Sequence, residues 1–262
     1  MTGYCDIPGA RLYYKKKGKG PPIIFLHGFC LDHRMWENQL DFFSDSYTTL
    51  AIDLRGFGRS SFPTDNAYSH HEDIHALLDT LRITQPAVIV GLSMGGRVVA
   101  DFALSYPQKT KAAVFVDAVI DGYEFMNFSL SYIYTSGKEQ GIAAANQMWL
   151  NHELFESARK IPSVSALLAK MIMSYSGWHW INKNPVRGLH PPAIEQIQDL
   201  DVPTLIITGQ YDTPDFQAIA QILHSKINHS SKKEIGGAGH MCNMEMPTVF
   251  NEILDQFLTN HK

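Results

Sequence analysis

The sequence predicts an α/β fold in which a mostly parallel central sheet, flanked by helices, is interrupted after its sixth strand by a helical cap. Three observations predict it. Short runs that are apolar throughout, such as Ile23-Ile24-Phe25-Leu26, Val88-Ile89-Val90 and Ala113-Val114-Phe115-Val116, read as strands buried on both faces, the mark of a parallel sheet. These runs alternate with segments whose apolar residues recur at helical spacing. The alternation stops between about residues 122 and 186 and then resumes. We therefore assign residues 1–121 and 187–262 to one core and 122–186 to an inserted helical lobe.

Taken in order, Arg11 to Lys17 reads as a strand that ends in the turn Gly18-Lys19-Gly20-Pro21-Pro22, and Ile23 to Leu26 is the next strand. Trp36 to Phe43 has helical spacing, and Thr48 to Ile52 is a short strand. Ser69-His70-His71-Glu72 has the form of a capping box, with serine at the N-cap and glutamate three residues on, opening a helix through Ile74, Leu77, Leu78 and Leu81. Val88 to Val90 runs into Gly91-Leu92-Ser93-Met94-Gly95-Gly96, after which Val98, Val99, Phe102, Ala103 and Tyr106 continue at helical spacing until Pro107. Ala113 to Asp117 is again a strand. Residues 122–186 hold helix-length segments rich in aromatics and methionine, and their charges nearly balance. Beyond Pro191-Pro192 come a strand over Thr204 to Ile207, a helix from Phe216 to Leu223, a strand near Lys232 to Ile235 and a last helix from Pro247 to Leu258.

Composition narrows the function. With 262 residues, 45% of them apolar, the chain has enough material for one large core. A formal charge of −4, with only Lys15-Lys16-Lys17 clustered, offers no footprint for a phosphate backbone, so no nucleic-acid partner is expected. No run approaches the roughly 20 apolar residues of a membrane span, and the first residues lack a signal core, so a cytoplasmic chain is expected. Cys5, Cys30 and Cys242 fit neither a disulfide framework nor a zinc site and are expected to be free thiols.

Chemistry concentrates at strand ends, where open α/β sheets place their working residues. Gly91-Leu92-Ser93-Met94-Gly95 has the G-x-S-x-G pattern of a sharp strand-to-helix turn that holds a serine clear of the sheet edge. A serine hydroxyl is a weak nucleophile until a neighbouring base takes its proton and an acid orients that base. His240, in Gly236-Gly237-Ala238-Gly239-His240, follows the last strand in a loop of small residues that lets a ring reach across; a plain surface histidine is the competing reading. Asp212, in Gly209-Gln210-Tyr211-Asp212, follows a buried strand and would serve as the acid, or as a helix N-cap, or as both. Asp117, after the preceding strand, competes for the acid's role. His71 and His75, one helical turn apart, have the spacing of metal ligands but no evident third partner, so no metal is expected.

Together with His27-Gly28-Phe29 and Asp53-Leu54-Arg55-Gly56-Phe57-Gly58-Arg59-Ser60, these blocks resemble the α/β-hydrolase fold superfamily, in order and across nearly the whole chain. They are most similar to its small-capped carboxylesterases, carrier-protein methyl esterases and enol-lactonases. That resemblance implies Ser93 as nucleophile, His240 as general base and then acid, Asp212 as orienter of the imidazole, and an oxyanion hole from the backbone amides of Phe29 and Met94. It implies no cofactor, and His27 as a brace for the oxyanion loop. Serine at the turn, where relatives that open epoxides or remove halide carry aspartate, points to acyl transfer on a small-molecule ester. The pocket is expected to involve Cys30, Trp149, Trp178 and Met241 and to take small to medium, largely apolar acyl groups. A lactonase, a C–C bond hydrolase or a slow-turnover ligand receptor are the alternatives, and the chain is expected to be a monomer or homodimer.

Overall fold

The computed structural model describes residues 1–64 and 66–261. Its eight strands are β1 (Thr2–Ile7), β2 (Ala10–Lys17), β3 (Pro22–Leu26), β4 (Thr48–Ile52), β5 (Ala87–Leu92), β6 (Thr110–Val116), β7 (Thr204–Gly209) and β8 (Ser230–Ile235). They form one sheet in the order β1-β2-β4-β3-β5-β6-β7-β8. The β1–β2 and β2–β4 pairs are antiparallel and every other pair is parallel. The fully apolar runs occupy the middle: every residue of β3, β5 and β7 is buried. The edges differ. In β1 Cys5 and Ile7 are buried, and in β8 only Ile235, so water-facing polar residues blunt both ends of the ladder.

Helices α1 (Glu37–Phe43), α2 (His70–Thr80) and α3 (Met94–Ser105) lie on the three connections from β3 to β6. Between β6 and β7 come α4 (Ser131–Glu139), α5 (Ile142–Leu150), α6 (Glu156–Arg159), α7 (Pro162–Ser174), α8 (Trp178–Ile181) and α9 (Ala193–Gln196). The chain closes with α10 (Pro214–Lys226), α11 (Cys242–Glu245) and α12 (Pro247–Asn260). Among the described residues no strand longer than an isolated bridge interrupts the helices between β6 and β7; that bridge joins Val186 to Tyr68. At the start of the same stretch, the Asp215 carboxylate of α10 accepts the N–H groups of Met126 and Asn127 at 3.1 and 2.8 Å.

Two local expectations are corrected. The helical pattern from Trp36 begins as a 3₁₀ turn over His33–Trp36, capped by Asp32, and becomes α-helical only at Glu37. Ser69 does occupy the N-cap of α2 in extended backbone, but its hydroxyl makes no capping hydrogen bond. Its carbonyl contributes instead, accepting the Asp73 N–H at 3.1 Å, so the capping box is present in sequence and not in hydrogen bonding. No helix is long and apolar enough to cross a membrane. All three cysteines are buried and unpaired.

Candidate active site

Strand β5 delivers Ser93 at its carboxyl end, and the next residue opens α3. Ser93 has φ 55° and ψ −116°, a left-handed conformation that costs a non-glycine residue roughly 1–3 kcal/mol. The neighbouring strand holds it there, because the Ser93 N–H donates to the Val116 carbonyl of β6 at 2.9 Å. The turn closes only with glycine on each side. A Cβ at Gly91 would stand 2.8 Å from the Gly96 nitrogen, and one at Gly95 would stand 2.8 Å from the Leu26 carbonyl carbon and 3.0 Å from the His27 carbonyl oxygen.

Those contacts tie the serine turn to the loop after β3. His27 is fully buried, with Nδ1 donating to the Gly28 carbonyl at 2.8 Å and Nε2 accepting the Leu54 N–H at 3.0 Å. Burial lowers its pKa, and both nitrogens are occupied by backbone, so the ring braces the loop. Asp53 is equally committed: its carboxylate accepts the backbone N–H of His33 at 2.8 Å and of Arg59 at 2.9 Å, and meets His33 Nδ1 at 2.7 Å. Arg55 pairs with buried Asp73 through two hydrogen bonds of 2.9 and 2.6 Å and stacks on Tyr68. The Arg55-Gly56-Phe57-Gly58 stretch therefore shapes a turn, with Phe57 edge-on to Phe29 at 5.7 Å.

His240 Nδ1 lies 2.9 Å from Asp212 Oδ2, with both side chains nearly inaccessible to water. Backbone proximity makes the pair possible, since Tyr211 N–H donates to the Ala238 carbonyl and a Cβ at Gly209 would press on the backbone of Gly239. The other oxygen of Asp212 accepts the Thr213 N–H at 2.7 Å. Glu245 anchors the histidine loop by accepting the N–H groups of Gly239 and Met241 at 2.9 and 3.1 Å and the Ser157 hydroxyl at 2.6 Å. Sequence reasoning missed Glu245; a carboxylate five residues beyond the histidine was the available signal. The ring hydrogen bond goes to Asp212 and not to Asp117, although Asp117, Asp212 and His240 place ligand atoms within 4.8 Å of one another.

Ser93 opens onto a cavity of about 330 Å³ lined by Phe29, Met94 and Trp149, by Phe125, Phe128, Leu130 and Phe216, and by His70, Arg97, His179, Asn182 and Asn184. Phe216 lies edge-on to His240 at 4.4 Å between ring centres, which sets the imidazole against this wall. Met94 is the first residue of α3 and its N–H has no intrahelical acceptor; among the described residues neither it nor the Phe29 N–H has a hydrogen-bond partner. Of the four residues expected in the pocket, Trp149 lines it, whereas Cys30, Trp178 and Met241 do not. Cys30 lines a separate cavity of about 280 Å³, Met241 is wholly within the core, and His179 takes the lining position beside Trp178. The polar members of the wall come from segments far apart in sequence, and no local pattern announces them. Arg97 meets Asp121 at 2.8 Å, while His70 Nδ1, Trp149 Nε1 and His179 Nε2 are buried without partners among the described residues. Burial pulls the His70 pKa well down, and Arg97 adds to the effect. His71 and His75 do not converge on a common ligand: His71 faces Asp101 at 3.9 Å and His75 faces Asp79 at 3.2 Å.

Comparison with known proteins bears on the family and the fold. The profile of a family described as the alpha/beta hydrolase fold matches residues 21–247. A Bacillus subtilis protein provisionally named 2-succinyl-6-hydroxy-2,4-cyclohexadiene-1-carboxylate synthase is 27% identical over 91% of this chain and 90% of its own length. The 3-oxoadipate enol-lactonase 2 of Acinetobacter baylyi is 26% identical over 90% of this chain and 87% of its own length. In fold, a thermophilic esterase from Thermogutta terrifontis superposes with a TM-score of 0.82 at 22% identity, covering 100% of this chain and 99% of that one.

Proposed function

The chain belongs to the α/β-hydrolase fold family, and on that premise we propose that it is a serine hydrolase cleaving carboxylic esters through an acyl-enzyme. The observation that carries this reading is the strained Ser93 on the wall of a cavity whose Phe216 packs edge-on against His240, itself paired with Asp212. His240 takes the serine proton as the hydroxyl attacks the ester carbonyl, then returns it to the departing alcohol. Asp212 holds the imidazole so that the nitrogen away from the acid faces the serine. The amides of Phe29 and Met94, free of other acceptors, receive the charge that develops on the carbonyl oxygen, each worth on the order of 10²–10³ in rate. Water activated by His240 then releases the acid.

Helices α4 to α8 act as the cap over this site, and the phenyl groups of Phe125, Phe128 and Phe216 favour a small to medium, largely apolar acyl group. The chain works on a small-molecule substrate, and its three buried, unpaired cysteines suit a reducing compartment. A substrate that also carries a carboxylate, whether a lactone or an acid cleaved at a C–C bond, is the second reading. Arg97 and the unpartnered His70 Nδ1 on the cavity wall favour it, and so do the carboxylates in the names of two relatives. A fluorophosphonate label and p-nitrophenyl butyrate turnover test the proposal. Labelling and sustained turnover in the native chain, with both lost in Ser93→Ala, are expected. At most one turnover per site in the native chain would instead indicate a ligand receptor. Added dicarboxylates that compete with butyrate hydrolysis would favour the second substrate reading.

A further inference from the structure

Asp117 stands at the end of β6 with no part in the reaction just described, yet it is completely buried and held with care. Its φ of 40° is left-handed, its N–H donates to the Ile207 carbonyl of β7 at 2.9 Å, and its Oδ1 accepts the Gly209 N–H at 2.9 Å. Oδ2 has no hydrogen-bond partner of the ordinary kind. The titratable groups that face this carboxyl are Asp212 and His240, within 4.8 Å, and the Cys242 thiol of α11; no lysine or arginine among the described residues pairs with it.

Two buried carboxyl groups side by side cannot both ionise without a cation between them, so one of them keeps a proton. Counting donors decides which. Asp212 needs both oxygens as acceptors, for Thr213 N–H and for the His240 ring. Asp117 needs only one. From this geometry we propose that Asp117 is present as a neutral carboxylic acid whose Oδ2–H donates to the Asp212 carboxylate, making Asp117 a positioning residue for the Asp212–His240 pair. Burial first, and the Asp212 charge second, raise the Asp117 pKa well above the usual carboxylate range. Burial pushes the Cys242 thiol up, so it too stays protonated. A donated O–H restrains rotation of the Asp212 carboxylate and so holds in place the oxygen that meets the His240 ring.

The inference rests on the triad reading, and the experiment separates the two. In Asp117→Asn the side chain stays neutral and keeps a donor, so kcat is expected within about threefold of native and the acid limb of the kcat/KM profile unmoved. If Asp117 were ionised, the same change would remove a negative charge close to His240 and shift that limb to lower pH by about a unit; that shift overturns the inference. Asp117→Ala, which has no donor, is expected to lose on the order of tenfold or more in kcat with KM little changed, and an Asp117→Ala enzyme as active as native also overturns it. Should the variants fail to fold, the native protein alone can be read by infrared spectroscopy at about pH 9, where less perturbed acids have ionised. A persisting band of a protonated carboxyl supports the inference and its absence overturns it. Asp212→Ala is the control: an active Asp212→Ala enzyme sinks the triad reading and this inference with it, whereas an inactive one accompanied by a shifted Asp117→Asn limb sinks the inference alone.

Discussion

Replacing Gly95 by alanine tests whether the serine turn is as tight as its geometry implies. The added Cβ would sit 2.8 Å from the Leu26 carbonyl carbon, where carbon atoms settle at about 3.5 Å. The end of β3 and the first turn of α3 must therefore separate by roughly 0.7 Å, and both belong to fully buried backbone with no flexible side chain to yield. Overpacking of this kind costs about 1–3 kcal/mol, and the rigid neighbours place it at the upper end. For a chain of this size each kcal/mol moves Tm by about 2–4 °C, so Tm is expected to fall by roughly 6–12 °C. Activity suffers separately. The strain falls between Phe29 and Met94, whose amides must converge on one oxygen, and an error approaching 1 Å in such a site costs up to about 10²-fold. Scanning calorimetry beside p-nitrophenyl butyrate kinetics measures both effects. A Gly95→Ala protein with native Tm and native kcat/KM would refute the tight-turn argument, and with it the claim that the turn needs glycine there.

Asp101, buried in α3 with Oδ1 unpartnered, has its pKa raised to about 7 by burial and then by Asp121. The folded chain then holds a proton that the unfolded chain releases near the ordinary aspartate value of 3.8, so stability is fully present below that value and falls as pH rises to about 7. Asp101→Asn is expected to remove this slope and to stabilise the protein above pH 7 by on the order of 2 kcal/mol, measured as Tm across a pH series; equal Tm for both proteins at pH 8 would contradict it. Trp149→Leu opens the cavity wall beside Phe29, and the ratio of kcat/KM for p-nitrophenyl octanoate over butyrate is expected to rise about tenfold. An unchanged ratio would show that acyl length is not measured at this wall.

What could be read from sequence divides along the range of the interactions involved. The central strands were legible because burial on both faces leaves an uninterrupted apolar run, and Ser93, Asp212 and His240 were legible because each sits in a loop whose small residues answer a local steric demand. Strand β1 escaped notice because an edge strand buries little: Cys5 and Ile7 are its only buried residues, so Thr2 to Ile7 carries no run and only a faint alternation. The cavity wall was illegible for a different reason. Arg97, His70, His179 and Asn182 line the cavity of Ser93 from three segments, α3, α2 and the α8 end, and their common direction exists only after α2, α3 and the inserted helices have packed. Trp178 shows the limit most sharply. On a helix of four residues the hydrophobic pattern cannot specify phase, and the structure buries Trp180 completely and gives the cavity His179. Asp117 lies between these cases. Its position after β6 was visible and made it a rival for the acid's role, but the choice between Asp117 and Asp212 depends on which oxygen already has donors. That count required Thr213, Gly209 and His240 to be in place, and it turns a rival acid into a partner.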